Sequence, residues 1–181
     1  DNEYHLRMPS QTKTYELKGV SKTGSLFKIS DFTNVLSTSV EVNYEMKNVN
    51  PPIGTTQKRK VEEAVNLFYA NDLKTVLPMN TIESLAMSYE SYQLAFVPTL
   101  VSDVFGTKVG NSELLLGKYT HLNADSNWWM RTGVKNYLQS GENIANSKSR
   151  FYLPVSYTDA WGAVTKVKYF SNYNLMISEL E

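Results

Sequence analysis

Two β-rich runs near the end of the chain flank a short polar turn. Phe151-Tyr-Leu-Pro-Val-Ser-Tyr-Thr158 precedes it, Ala163-Val-Thr-Lys-Val-Lys-Tyr169 follows it, and Asp159 and Gly162 lie at its centre. β-Branched and aromatic residues suit a pleated, half-buried surface. Aspartate and glycine between two such runs signal a hairpin. Phe170-Ser-Asn-Tyr-Asn-Leu175 then predicts a second turn and a further strand. A chain that turns back on itself twice within thirty residues is committed there to antiparallel sheet, whatever the rest does.

The bulk properties narrow the remainder. The chain has 181 residues, enough for one ordinary domain or two small ones. A compact fold of this length buries roughly 70% of its unfolded surface. Eighteen basic and eighteen acidic residues cancel, so charge supports neither nucleic acid nor an anionic membrane as partner. It also leaves little repulsion against self-association. There is no cysteine, which excludes disulfides, zinc–cysteine sites and thiol catalysis. No apolar run reaches the length of a membrane span. Asp1-Asn-Glu-Tyr-His5 has neither the basic start nor the apolar core of a signal peptide. The abrupt ends, with Glu181 placed where a strand is in progress, read as those of a piece cut from a larger protein. Twelve tyrosines suit cross-strand pairing with a polar tip at a half-wet face.

Along the chain, Thr12 to Val20 predicts a strand, and Gly19 and Gly24 bracket a turn. Leu26 to Ile29 predicts a short strand, and Ser30 or Asp31 caps a short helix from Phe32 to Leu36. Val40 to Met46 alternates strictly and predicts a half-buried strand. Lys47 to Gln57 is a loop rich in Asn, Pro and Gly. Lys58 to Asp72 stays open. Val61, Ala64, Val65 and Phe68 fit a helical face, while Val61, Val65, Leu67 and Tyr69 fit a strand face with Glu63 as its misfit. Short helices are expected from Ile82 to Met87, opened by Thr81 and Ser84, and from Pro98 to Val104, ended by Gly106. Another is expected from Ser112 to Leu116, capped by Ser112 and stopped by Gly117. Asn127 to Thr132 predicts a strand and Gln139 to Ser149 a polar loop. The expected fold class is α+β and β-dominated, with antiparallel strands and hairpins around a central block of short helices and loops. The strand-rich first part is 1–75, the block 76–126, and the strand-rich last part 127–181. No solenoid-type repeat recurs.

Few residues invite chemistry. His5 is terminal. His121 and Asp125 stand four apart in a loop, with no second histidine near to complete a zinc triad. Glu62, Glu63, Glu83 and Glu90 are the remaining carboxylates of interest, and a glycosidase would need two of them held across a cleft. Asn123 to Asn127 resembles part of an acidic calcium loop without its glycine and closing glutamate. Adjacent strand residues face opposite sides, so Trp128 and Trp129 divide between a core and a second surface. There one indole could stack on a sugar, which makes a carbohydrate-binding module the alternative to a structural role. A hydrolase built on His121, Asp125 and a carboxylate is a further rival.

Several longer segments, in order, resemble one family. These are Arg7-Met-Pro-Ser-Gln-Thr-Lys-Thr-Tyr-Glu-Leu17, Leu77-Pro-Met-Asn-Thr-Ile-Glu-Ser-Leu-Ala-Met-Ser-Tyr-Glu-Ser-Tyr-Gln-Leu-Ala-Phe96, Asn127-Trp-Trp-Met-Arg-Thr-Gly133 and Phe151-Tyr-Leu-Pro154. They are similar to the B component of insecticidal toxin complexes, the Tc/Rhs toxins, where the middle region passes into the repeat shell. Asp159, Gly162, Thr165, Tyr169 and Leu175 follow the order of the family's tyrosine/aspartate (YD) repeat. Phe170 and Tyr173 depart from it, so the unit resembles a degenerate repeat at the edge of an array. The resemblance implies part of a hollow β-strand cocoon that encloses a cytotoxic cargo, secreted and without catalysis or cofactor of its own. It implies as partners the rest of the same toxin chain, a C-type Rhs component and a pore-forming A component, with no nucleic acid and no direct membrane contact. It also tilts Lys58 to Asp72 towards a long strand. Cut from its neighbours, such a piece is expected to self-associate through open strand edges.

Overall fold

The computed structural model describes residues 8–171 and 173–181. His5 and Arg7 lie outside the described residues. The fold is β-dominated, with mainly antiparallel strands and a few short helices. The first sheet contains β1 (Gln11–Lys18), β2 (Val40–Val42), β3 (Gln57–Phe68), β4 (Ser88–Phe96) and β5 (Trp128–Arg131). Its order is β1-β3-β4-β5, and β2 runs parallel to the start of β3. Since β4 pairs β3 only from Ala64 onward, β2 fills the side of β3 that β4 does not reach. The second sheet is antiparallel, in the order β6-β7-β8-β9. Its strands are β6 (Val134–Asn136), β7 (Ser156–Thr158), β8 (Val164–Phe170) and β9 (Tyr173–Leu180). Helix α1 (Val35–Thr38) precedes β2, α2 (Pro98–Phe105) and α3 (Asn111–Leu116) lie between β4 and β5, and α4 (Ile144–Ser149) lies between β6 and β7.

Lys58 to Asp72 is therefore strand through Phe68. Local pattern left helix and strand balanced, and partners on both sides decide it. The misfit Glu63 is buried, but it is not alone: Lys60 Nζ and Gln11 Nε2 each donate to it at 2.5 Å, and Lys13 Nζ lies at 3.7 Å. A bulge makes this possible. Thr14 pairs with Glu62 and Tyr15 with Lys60, so Val61 is the extra residue. Burial works against the Lys60 ammonium, yet the hydrogen bond and charge of Glu63 outweigh it and raise its pKa. Arg59 is likewise buried and donates to Glu16 at 2.8 Å and to the Tyr44 carbonyl at 2.9 Å.

Three clusters form the core. Val65, Tyr92 and Trp129 join β3, β4 and β5. Val101, Leu114 and Trp128 hold α2 and α3 against β5, with Phe96 and Tyr119 around them. Tyr69, Leu73 and Tyr137 bind the two sheets together. The Tyr69 and Tyr137 rings meet edge to face at 6.0 Å, and the Tyr137 hydroxyl donates to the Ser88 carbonyl at 3.0 Å. Burial pushes the Tyr69 hydroxyl up to about 12 and raises Tyr137 as well.

The expected helix of Pro98 to Val104 is present as α2, with proline in its first turn and Gly106 at its end. Several other expectations are corrected. Leu26 to Ile29 forms no strand; the Asp31 carboxylate accepts from Lys28 N at 2.9 Å and Thr23 Oγ1 at 2.8 Å, and folds the segment into a 3-10 turn, Ile29–Phe32. The helix expected from Phe32 to Leu36 is displaced to α1, which starts after Asn34 in the left-handed region. The strand expected over Val40 to Met46 stops at Val42, and the chain turns into a second 3-10 turn, Met46–Asn48. Ile82 to Met87 is not helical, because Glu83 accepts from Asn71 N at 2.6 Å and Asn71 Oδ1 accepts from Leu85 N at 3.0 Å. These bonds tie the segment to a distant turn instead of to itself. Gly110, not Ser112, precedes α3, with Glu113 accepting the Gly110 N–H at 2.8 Å. The polar loop from Gln139 to Ser149 contains α4, capped by Asn143, whose side chain accepts from Ala145 N at 2.9 Å. Strand β4 arises inside the block read as helices and loops.

Candidate functional site

The repeat-motif residues shape a turn and anchor a strand. Asp159 Oδ1 accepts from Trp161 N at 2.9 Å and Ala163 N at 2.8 Å. Its own N–H donates to the Ala163 carbonyl at 2.9 Å, and Gly162 N donates back to the Asp159 carbonyl at 3.1 Å. Gly162 has a φ of +89°, a region that side-chain-bearing residues rarely occupy. The turn therefore needs both residues. It sets β7 against β8, with Tyr157 opposite Thr165. Tyr169 then ties β8 inward, since its hydroxyl donates to the Pro154 carbonyl at 2.7 Å. Burial raises its pKa. Leu175, on β9, is exposed.

Trp128 and Trp129 face opposite sides, and both sides are covered. Their relative exposures are 4% and 2%, which leaves no indole face for a sugar. Trp129 lies opposite Leu94 and donates its N–H to the Asp125 carboxylate at 3.2 Å. Trp128 packs against Val101 and Leu114, with the His121 ring 4.0 Å away. The exposed indole is Trp161, at the tip of the β7–β8 turn.

The other candidates serve structure too. His121 Nδ1 is hydrogen-bonded to the Asn127 carbonyl at 2.8 Å, while Asp125 accepts from Asn127 N at 3.0 Å and from Trp129. The two side chains thus close one loop around Asn127 without forming a dyad. Asn123 to Asn127 is held by the same bonds. Among the described residues no group of three or more His, Asp or Glu side chains could hold a metal ion. Glu62 accepts from Thr14 and Gln93 at 3.4 Å, and Glu63 and Glu83 are engaged as described above.

Glu90 is the most buried of the carboxylates singled out. Arg131 Nε and Nη2 donate to its two oxygens at 2.9 Å each, and Tyr92 Oη donates at 2.6 Å. Burial foremost, and then the bond to Glu90, raise the Tyr92 pKa. The hydrogen bond to Glu90 likewise raises that of Arg131. Tyr92 and Arg131 stand opposite each other across β4 and β5, so the triad rivets neighbouring strands. Sequence pattern places Arg131 in a strand and Glu90 among the carboxylates of interest, but nothing local connects residues 41 positions apart. A cavity of about 280 Å³ between β2 and α2 has Glu45 at its wall, but that carboxylate is taken by Thr99 Oγ1 at 2.6 Å.

The polar groups described here tie strands and loops to one another. Phe170, Leu175, Met176, Ile177 and Leu180 are 50–67% exposed on β8 and β9. Among the described residues the outer edge of β9 has no strand partner. No helix of the described residues is long and apolar enough to cross a membrane.

No family model matches the chain, and no curated protein matches it. Among solved structures it is similar to chains of three toxin complexes. In TcdB2–TccC3 without its hypervariable C-terminal region, the match has a TM-score of 0.49 and 12% identity, over 76% of this chain and 6% of that one. In TcdB2–TccC3–Cdc42 the values are 0.41 and 14%, over 74% and 7%. In TcdB2–TccC3 they are 0.36 and 16%, over 68% and 7%. The chain thus spans less than a tenth of the chains it matches. At these identities and TM-scores the likeness places the chain in no family.

Proposed function

We propose that this chain is a structural part of a toxin-complex cocoon, a length of β-wall that helps encapsulate and deliver a cytotoxic cargo and does no catalysis itself. The observation that carries the reading is the exposed apolar surface of β8 and β9 beside a strand edge with no partner among the described residues. Exposed apolar surface of this kind suits contact with further protein. Two features support it. The carboxylates and the histidine that sequence singled out are engaged in holding strands and loops together. Asp159 and Gly162 of the repeat motif build a turn between paired strands. The segments quoted from Arg7 to Pro154 resemble the B component of insecticidal toxin complexes, which gives the wall its proposed setting. It is a secreted bacterial toxin whose shell is completed by the rest of its own chain and a C-type Rhs component, and which docks on a pore-forming A component.

The test is protection of cargo. The full-length protein that carries this segment is co-expressed with its C-type component, and the complex is treated with protease. The expected result is a complex whose cargo resists digestion. With Leu175→Asp and Ile177→Asp, the complex should assemble poorly or leave the cargo open to cleavage. Undiminished assembly and protection in the double variant would overturn the proposal.

A further inference from the structure

We draw no further inference here: the strongest candidate, the apolar surface patch that Phe170, Leu175, Met176, Ile177 and Leu180 form on the β8–β9 hairpin, carries nothing because nothing in the structure shows what covers it.

Discussion

Arg131→Met isolates the contribution of the Glu90 rivet. The Glu90 side chain has no exposed surface, and Arg131 supplies two of the three hydrogen bonds described for its carboxylate. Hydrogen bonds to charged groups contribute about 1.5–3 kcal/mol each, so two of them set a loss of roughly 3–6 kcal/mol. Removing one partner of a buried ion pair costs about 3–5 kcal/mol, because the remaining charge stays buried. The two routes agree, and at this chain length the loss corresponds to a fall of roughly 6–20 °C in Tm. Methionine keeps much of the arginine stem's bulk, so the effect is electrostatic and not a cavity. Urea unfolding followed by tryptophan fluorescence measures it, since Trp129 belongs to the same three-strand cluster as Tyr92. Combining Glu90→Leu with Arg131→Met should recover part of the loss, because a buried pair replaced by apolar residues is often neutral, while the Tyr92 hydroxyl loses its acceptor. A single variant within about 1 kcal/mol of wild type would refute the reasoning.

Three further outcomes are expected. The Thr75 hydroxyl foremost, with the Thr75 and Lys74 N–H groups, holds the Asp72 carboxyl down to about 2, below its ordinary 3.8; its stabilisation is present above about pH 4 and lost as pH falls towards 2. Asp72→Asn should therefore lower Tm at pH 7 and flatten its decline over that window, as read by circular dichroism. Gly133→Ala places a Cβ 2.6 Å from the Thr158 carbonyl oxygen at a φ of +99°, which costs about 1–3 kcal/mol from the backbone strain alone; chemical denaturation should show the loss. The isolated chain should associate with rising concentration in light scattering, and Leu175→Glu with Ile177→Lys should abolish this; a strict monomer at high concentration would count against the exposed hairpin as the cause.

What sequence could reveal depended on how far away each decision was made. The Asp159–Gly162 turn was legible because its bonds run between Asp159 and residues at most four positions away. The same holds for α2, whose first proline and terminal glycine are part of the helix itself. Lys58 to Asp72 could not be resolved locally, since Gln11 and Lys13, which join Lys60 around Glu63, arrive from about fifty residues away. Ile82 to Met87 carried a reasonable helix signal and lost it to Asn71. Strand β4 has a weak local signal for a related reason: Glu90 and Gln93 are polar residues in a strand paired on both sides. For the tryptophans, strand alternation correctly separated their faces. The helices inserted between β4 and β5 cover Trp128, and side chains of β3 and β4 with Met79 and Leu122 cover Trp129, which alternation does not report.

Burial also differs sharply along the chain, and this bears on what the second sheet needs. The three core clusters draw on residues from β3 to β6 and the segments between them. From residue 156 onward, Val167 is the one described residue that is buried, although β8 and β9 are rich in apolar side chains. An isolated two-stranded hairpin is marginal in water. Here β8 is held by β7, by the Tyr169 hydroxyl on Pro154 and by Val167 N donating to the Val155 carbonyl at 2.9 Å. Strand β9 has β8 as its neighbour, through a ladder broken by irregularities on either side of Tyr169. At about 25 cal/mol per Å² of apolar surface buried, covering the β9 side chains would stabilise this hairpin far more than any bond it now makes. Its order and its function are then one question, because the surface that assembly would bury is the surface that would hold the strand in place.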